Sequence, residues 1–204
     1  MTDTLHRILP QVQKPARYVG GEYNQIVKDK RDVDVRVAFC FPDTYEIGMS
    51  NIGMRILYGL MNEMPGVWCE RVFAPWGDME EKMREHAIPL YALESHDPVR
   101  AFDLIAFTIG YEMSYTNILN MLDLSGVPLL ARERKGLENI VFAGGVCAVN
   151  PEPLADFIDF FSFGEGEEIT KEILACYRQA KKDGCSKEEF LLRVSRIDGG
   201  YVPS

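Results

Sequence analysis

Apolar positions along this chain follow two rhythms. Runs rich in Val, Ile and Phe at residues 33–41, 67–73, 103–109, 139–143 and 157–163 predict buried β-strands. Between them, apolar residues recur at three- and four-residue spacing and predict amphipathic helices. After the first strand, Ser50 is placed to cap a helix with Ile52, Ile56, Leu57, Leu60, Met61 and Met64 on its apolar face. Pro65-Gly66 ends that helix. Asp78 with Glu81 resembles a capping box that opens a short polar helix. Residues 90–93 and 128–131 read as short strand or edge pieces. A helix near Ser114 turns Ile118, Leu119 and Leu122 inward and stops at Gly126. The helix after the fifth strand packs Ile169, Ile173, Leu174 and Tyr177, and Ser186 caps a last helix reaching about Ile197.

The two ends read differently. Leu5, Ile8, Leu9 and Val12 have helical spacing, Pro15 stops that helix, and Gly20-Gly21 makes a turn. Residues 1–32 therefore read as an N-terminal arm rather than a core element. Residues 185–204 read as a C-terminal helix and linker, with no terminal element closing the fold. Strands alternating with helices predict a parallel sheet covered on both faces. The expected fold is α/β, a flavodoxin-like doubly wound sandwich on a mainly parallel five-stranded sheet over residues 33–184.

Composition narrows the function. The 204 residues are 47% hydrophobic and 26% charged, a globular mixture, and no apolar run approaches the length of a membrane span. With 22 basic and 31 acidic residues the net charge is −9, which disfavours nucleic acid as a partner. The small basic cluster of Arg132, Arg134 and Lys135 reads as a solvated loop. Five widely spaced cysteines, none in CxxC or CxxxCxxC, fit a reduced, cytoplasmic setting and supply no iron–sulfur or zinc motif.

In open α/β sheets, ligands bind outside the carboxyl ends of the strands. Four loops leave such ends with unusual residues: 42–50, 110–114, 144–153 and 164–168. The first carries Asp43, Tyr45, Glu46 and Gly48, equally readable as a ligand loop or as a capped Asx-turn. Gly144-Gly145 permits either close backbone approach to a flat ligand or a plain tight turn. Gly164-Glu165-Gly166-Glu167-Glu168 is a poor phosphate cradle, because its carboxylates repel anions and suit a helix start. A carboxylate there can also accept from ligand hydroxyls or amides. His6, His86 and His96 lie off these loops, so a His triad or metal cluster is unsupported. Cys147 reads as a small buried residue. Tyr45, Tyr111 and Tyr115 are placed either to stack on a planar ligand or to pack in the core.

Taken together, "FPDTYEIGMSNIGMRILY", "FTIGYEMSYTNILNML" and "VFAGGVCAVNPEPLADFIDFFSFGEGEE" resemble the N-terminal B12-binding-like domain of an uncharacterised radical SAM fusion family. The resemblance covers nearly the whole chain. It implies cofactor-binding positions at Asp43, Tyr45, Gly48, Thr108, Gly110, Gly144, Gly145, Glu165 and Gly166, and no catalytic residue. Cobalamin domains of the His-ligating type carry Asp-x-His-x-x-Gly in the first loop. This chain has Asp43-x-Tyr45-x-x-Gly48, so His-on binding is not expected. The resemblance allows two outcomes: a corrinoid held with no protein ligand below the cobalt, or a fold that has lost the cofactor. The 4Fe-4S cluster and S-adenosylmethionine would belong to a radical SAM core of the same polypeptide, reached through "GGYVPS". The implied function is a module that positions or shields a ligand for that core and is not catalytic alone. The alternative is a docking domain that helps select a macromolecular substrate. A flavin module is disfavoured by the acidic Gly-Glu-Gly-Glu loop.

Overall fold

The computed structural model describes residues 2–203. Helix α1 (Thr2–Ile8) precedes β1 (Val35–Phe41), the short α2 (Tyr45–Ser50), α3 (Ile52–Glu63), β2 (Val67–Phe73) and α4 (Gly77–Glu85). Then come β3 (Leu104–Thr108), α5 (Tyr115–Ser125), β4 (Ile140–Gly144), β5 (Phe160–Ser162), α6 (Gly166–Asp183), α7 (Lys187–Val194) and β6 (Gly200–Tyr201). The sheet order is β2-β1-β3-β4-β5-β6. The first five strands are parallel, and β6 runs antiparallel to β5. The flavodoxin-like architecture expected from the sequence is the one observed.

Strand periodicity sorts the core into two layers. Ala38, Cys40, Ile105, Phe107, Val141, Ala143 and Phe161 face α4 and α5. Val35, Val37, Phe39, Leu104, Ala106, Ile140, Phe142 and Phe160 face α3, α6 and α7. Phe142 and Phe160 stack across β4 and β5 with centroids 4.8 Å apart, a contact worth about 1 kcal/mol beyond area burial.

The N-terminal residues depart from the reading as an arm. Leu5, Ile8, Leu9, Val12 and Tyr18 are buried in the layer that holds α4 and α5. Tyr18 is tied at both ends: its carbonyl accepts from the Tyr91 hydroxyl, and its own hydroxyl accepts from Trp76 N. Residues 26–28 then cover the outer edge of β2. The Trp68 indole donates to Ile26 O at 3.0 Å, and Lys28 Nζ donates to Val67 O at 2.5 Å. This blunts an otherwise open sheet edge.

Other local expectations are corrected. Asn51, not Ser50, caps α3, accepting from Met54 N, while Ser50 Oγ turns back to Ile47 O. The buried face of α3 is Met54, Tyr58 and Met61, leaving Ile52 and Ile56 exposed. The N-cap of α4 is Trp76, with no side-chain cap; Asp78 lies inside the first turn, where its carboxylate accepts from Gln13 N. Residues 90–93 make only an isolated bridge from Tyr91 to Pro98, and 131–133 form a 3-10 turn. The capping box at Ser186 and Glu189 opens α7 as expected. The tail adds β6, held by Tyr201 stacking on Phe163 at 5.8 Å and donating to Glu152. Arg134 is buried rather than solvated, paired with Asp159 and capping the carbonyls of Pro128, Leu129 and Phe157.

Candidate functional site

Because β1, β3, β4 and β5 are parallel, their four following loops emerge at one edge of the sheet. The residues singled out on those loops do not all converge. They divide into a well-packed first loop and a pocket behind the middle of the edge.

In the first loop, Asp43 Oδ2 accepts from the Tyr111 hydroxyl at 3.0 Å and Oδ1 from Thr44 N at 2.7 Å. Asn117 donates to Pro42 O at 2.9 Å, so this loop and the one after β3 brace each other. Tyr45 turns toward β2. Its ring meets Phe73 edge-on with centroids 5.4 Å apart, and its hydroxyl donates to Glu22. Burial, with the Glu22 carboxylate beside it, pushes the Tyr45 phenol up to about 12. Burial opposes ionisation of Glu22 itself, but hydrogen bonds from Tyr45 and Arg71 win and hold it below the usual carboxylate range. Gly48 is a packing residue: a Cβ there would run into the Phe73 ring.

Thr108 pairs in register with Gly144, and a Cβ at Gly144 would lie 2.6 Å from Ser162 Oγ. Gly145 has φ +102°, and a Cβ would sit 2.7 Å from the Ile109 carbonyl oxygen. The glycine pair thus lets β4 turn tightly over β3. Behind it lies a pocket of about 190 Å³ between α3 and α6. Thr108, Gly144, Gly145 and Gly166 all line it. Gly110 points to open space, and Glu165 caps α6 by backbone alone with its side chain exposed. Asp43, Tyr45 and Gly48 stand apart from this pocket. Ser162, Glu167 and Thr170 line it as well. Glu167 fell within the acidic loop singled out in the sequence, whereas Thr170, three residues on, was legible only as a helix position.

The edge carries another feature. Ile47, Trp76, Tyr111, Met113, Val146 and Val149 are exposed on the segments following β1, β2, β3 and β4. Met113, Val146 and Val149 are 81%, 75% and 72% exposed. Beside them runs a groove of about 830 Å³ lined by Ile52, Ile56, Tyr58 and Arg71. In its wall Arg71 is buried between Glu22 and Glu94, with Nε 2.6 Å from Glu94 Oε1 and Nη2 2.7 Å from Glu22. Burial raises Glu94 against the pull of Arg71. Cys147 is half-buried, and burial raises its thiol. Among the described residues no group of three His, Cys, Asp or Glu side chains is arranged to hold a metal, and no helix is long and apolar enough to cross a membrane.

Residues 53–203 match the family described as radical SAM proteins, N-terminal. The chain belongs to this family. The radical SAM N-terminal domain here is also 29% identical, over 143 residues, to the uncharacterized protein MJ0966 of Methanocaldococcus jannaschii. That match covers 68% of this chain and 26% of the relative. The chain therefore spans about a quarter of that relative's length. It is a module of a radical SAM protein.

Proposed function

We propose that this domain docks through the carboxyl edge of its sheet onto the radical SAM core of the same polypeptide, covering the core's opening. The carrying observation is the set of exposed apolar side chains following four different strands on that one edge. Exposed apolar groups gathered on a rim mark an interaction surface. Ile52 and Ile56 extend it along α3 as a second apolar stripe, opposite the stripe that packs on the sheet. The core would hold the 4Fe-4S cluster and S-adenosylmethionine, and this domain would restrict access by a macromolecular substrate.

A second reading keeps a corrinoid between domain and core. It is favoured by the same exposed, glycine-bearing rim, which offers a flat ligand an apolar seat. The first loop does not fit a cobalt-ligating role. Tyr45 is engaged by Glu22, and no imidazole lies on the edge. A corrinoid would be held without a ligand from this chain, through contacts of Gly144, Gly145 and the rim.

Hydrogen exchange on this chain and on the full-length polypeptide separates these ideas. Docking predicts added protection at residues 110–114 and 145–150 in the longer protein, lost in Met113→Glu/Val149→Glu. Equal exchange in both proteins disproves docking. Titration with hydroxocobalamin tests the second reading. Saturable binding with a base-off spectrum supports it, and no binding by the full-length protein at near-millimolar ligand removes it.

A further inference from the structure

The pocket between α3 and α6 has a chemistry of its own. Its apolar walls are Phe39, Ala106 and Phe142 of the sheet, with Leu57 and Met61 of α3. Its polar side is three hydroxyls, on Thr108, Ser162 and Thr170, and the Glu167 carboxylate. Among the described residues, none of those hydroxyls has a hydrogen-bond partner in the protein. Thr170 is the telling one. It is only 8% exposed, it faces the pocket, and it lies within a helix. A helical hydroxyl at such a position commonly returns to the carbonyl four residues back, as Ser125 does to Met121 O at 2.5 Å. Thr170 does not. The pocket leaves that hydroxyl open to solvent and free to pair with a bound group.

Size and charge restrict the ligand. About 190 Å³ is below the roughly 300 Å³ at which drug-sized sites begin, so a single ring system fits and larger parts stay outside. Each hydroxyl both donates and accepts, and Glu167 accepts only. A ring whose edge carries N–H donors and ring-nitrogen acceptors meets all four groups. Dimethylbenzimidazole, with one N–H and one ring nitrogen on a single edge and hydrocarbon elsewhere, leaves most of them unpaired. Glu167 lines the pocket, and Glu165 and Glu168 beside it at the start of α6 are also exposed; the charge of this segment disfavours phosphate. We infer that this pocket binds the amino-substituted purine ring of an unphosphorylated nucleoside. The inference does not rest on docking; it shares Gly144 and Gly145 with the corrinoid reading, and dimethylbenzimidazole in the test separates the two.

Calorimetric titration of the 204-residue chain with adenosine, AMP and dimethylbenzimidazole tests it. Adenosine is expected to bind saturably at one site and AMP about tenfold more weakly. Thr170→Val and Ser162→Ala are each expected to weaken adenosine by about five- to tenfold, with melting temperatures unchanged. The inference is overturned if the folded chain shows no saturable adenosine binding at millimolar ligand. It is equally overturned if AMP or dimethylbenzimidazole binds as tightly as adenosine, or if both variants bind adenosine like the native chain.

Discussion

The Tyr45 hydroxyl donates to Glu22 Oε1 at 2.8 Å, while Glu22 Oε2 accepts from Arg71 Nη2 at 2.7 Å. Tyr45, which the sequence resemblance matches to the imidazole of His-ligating cobalamin domains, faces the N-terminal segment and β2. Tyr45→Phe should cost about 1 kcal/mol of stability by leaving one oxygen of the carboxylate unpaired, measurable by urea unfolding. In Tyr45→His, Glu22 should hold the imidazole, so added hydroxocobalamin keeps an unligated spectrum. A nitrogen-ligated spectrum in that variant would refute this placement.

Gly48 leaves room for Phe73, with Phe41 behind it. Gly48→Ala should destabilise the fold by about 1–3 kcal/mol through overpacking. Adding Phe73→Leu, which removes the ring in the way, should recover part of that loss. A double variant no more stable than Gly48→Ala would argue against the packing role.

Asp159 sits between two buried cations. Its Oδ2 accepts from Arg134 Nη2 at 3.0 Å and from Val141 N at 2.7 Å. Its Oδ1 lies 2.5 Å from Lys187 Nζ, close enough for an ion pair but not aligned as a hydrogen bond. Asp159→Asn leaves both cations uncompensated and should cost about 3–5 kcal/mol. Unfolding at a denaturant midpoint like that of the native chain would contradict this.

Glu46 is held to about 2 by its hydrogen bond from Arg17, with Lys14 adding to it. The folded value lies below the ordinary 4.5, so this stabilisation is complete above pH 4.5 and fades as pH falls toward 2. The group is exposed, so the effect should be modest and weaken in salt. The melting-temperature gap between the native chain and Glu46→Gln should narrow across that pH window. A gap independent of pH would rule out the ion pairs as its source.

Much of the fold was legible because its five parallel strands are predominantly apolar, interrupted only by Arg36 in β1, by Glu70 and Arg71 in β2 and by polar strand ends. Strand β2, read as residues 67–73, is observed as Val67–Phe73. The four-loop edge followed from parallel topology alone. Helix α3 was misread at Ile52 and Ile56 because it is apolar on two sides, and periodicity cannot say which side meets the sheet. Strand β6 was invisible: two residues, Gly200 and Tyr201, carry no pattern, and pairing with β5 makes them a strand.

The candidate site divides the same way. Residue type along the chain determined which loops leave the sheet's carboxyl edge, that no histidine lies on them, and that acidic groups open α6. Tertiary structure decided where the side chains point. Glu22, 23 residues before Tyr45, captures the phenol because a partly buried hydroxyl must find an acceptor. Thr170 faces a pocket because α3 and α6 pack side by side, with Leu57 3.2 Å from where a Gly166 Cβ would be. Such long-range juxtapositions depend on packing between distant segments, which local patterns of apolar and polar residues do not encode.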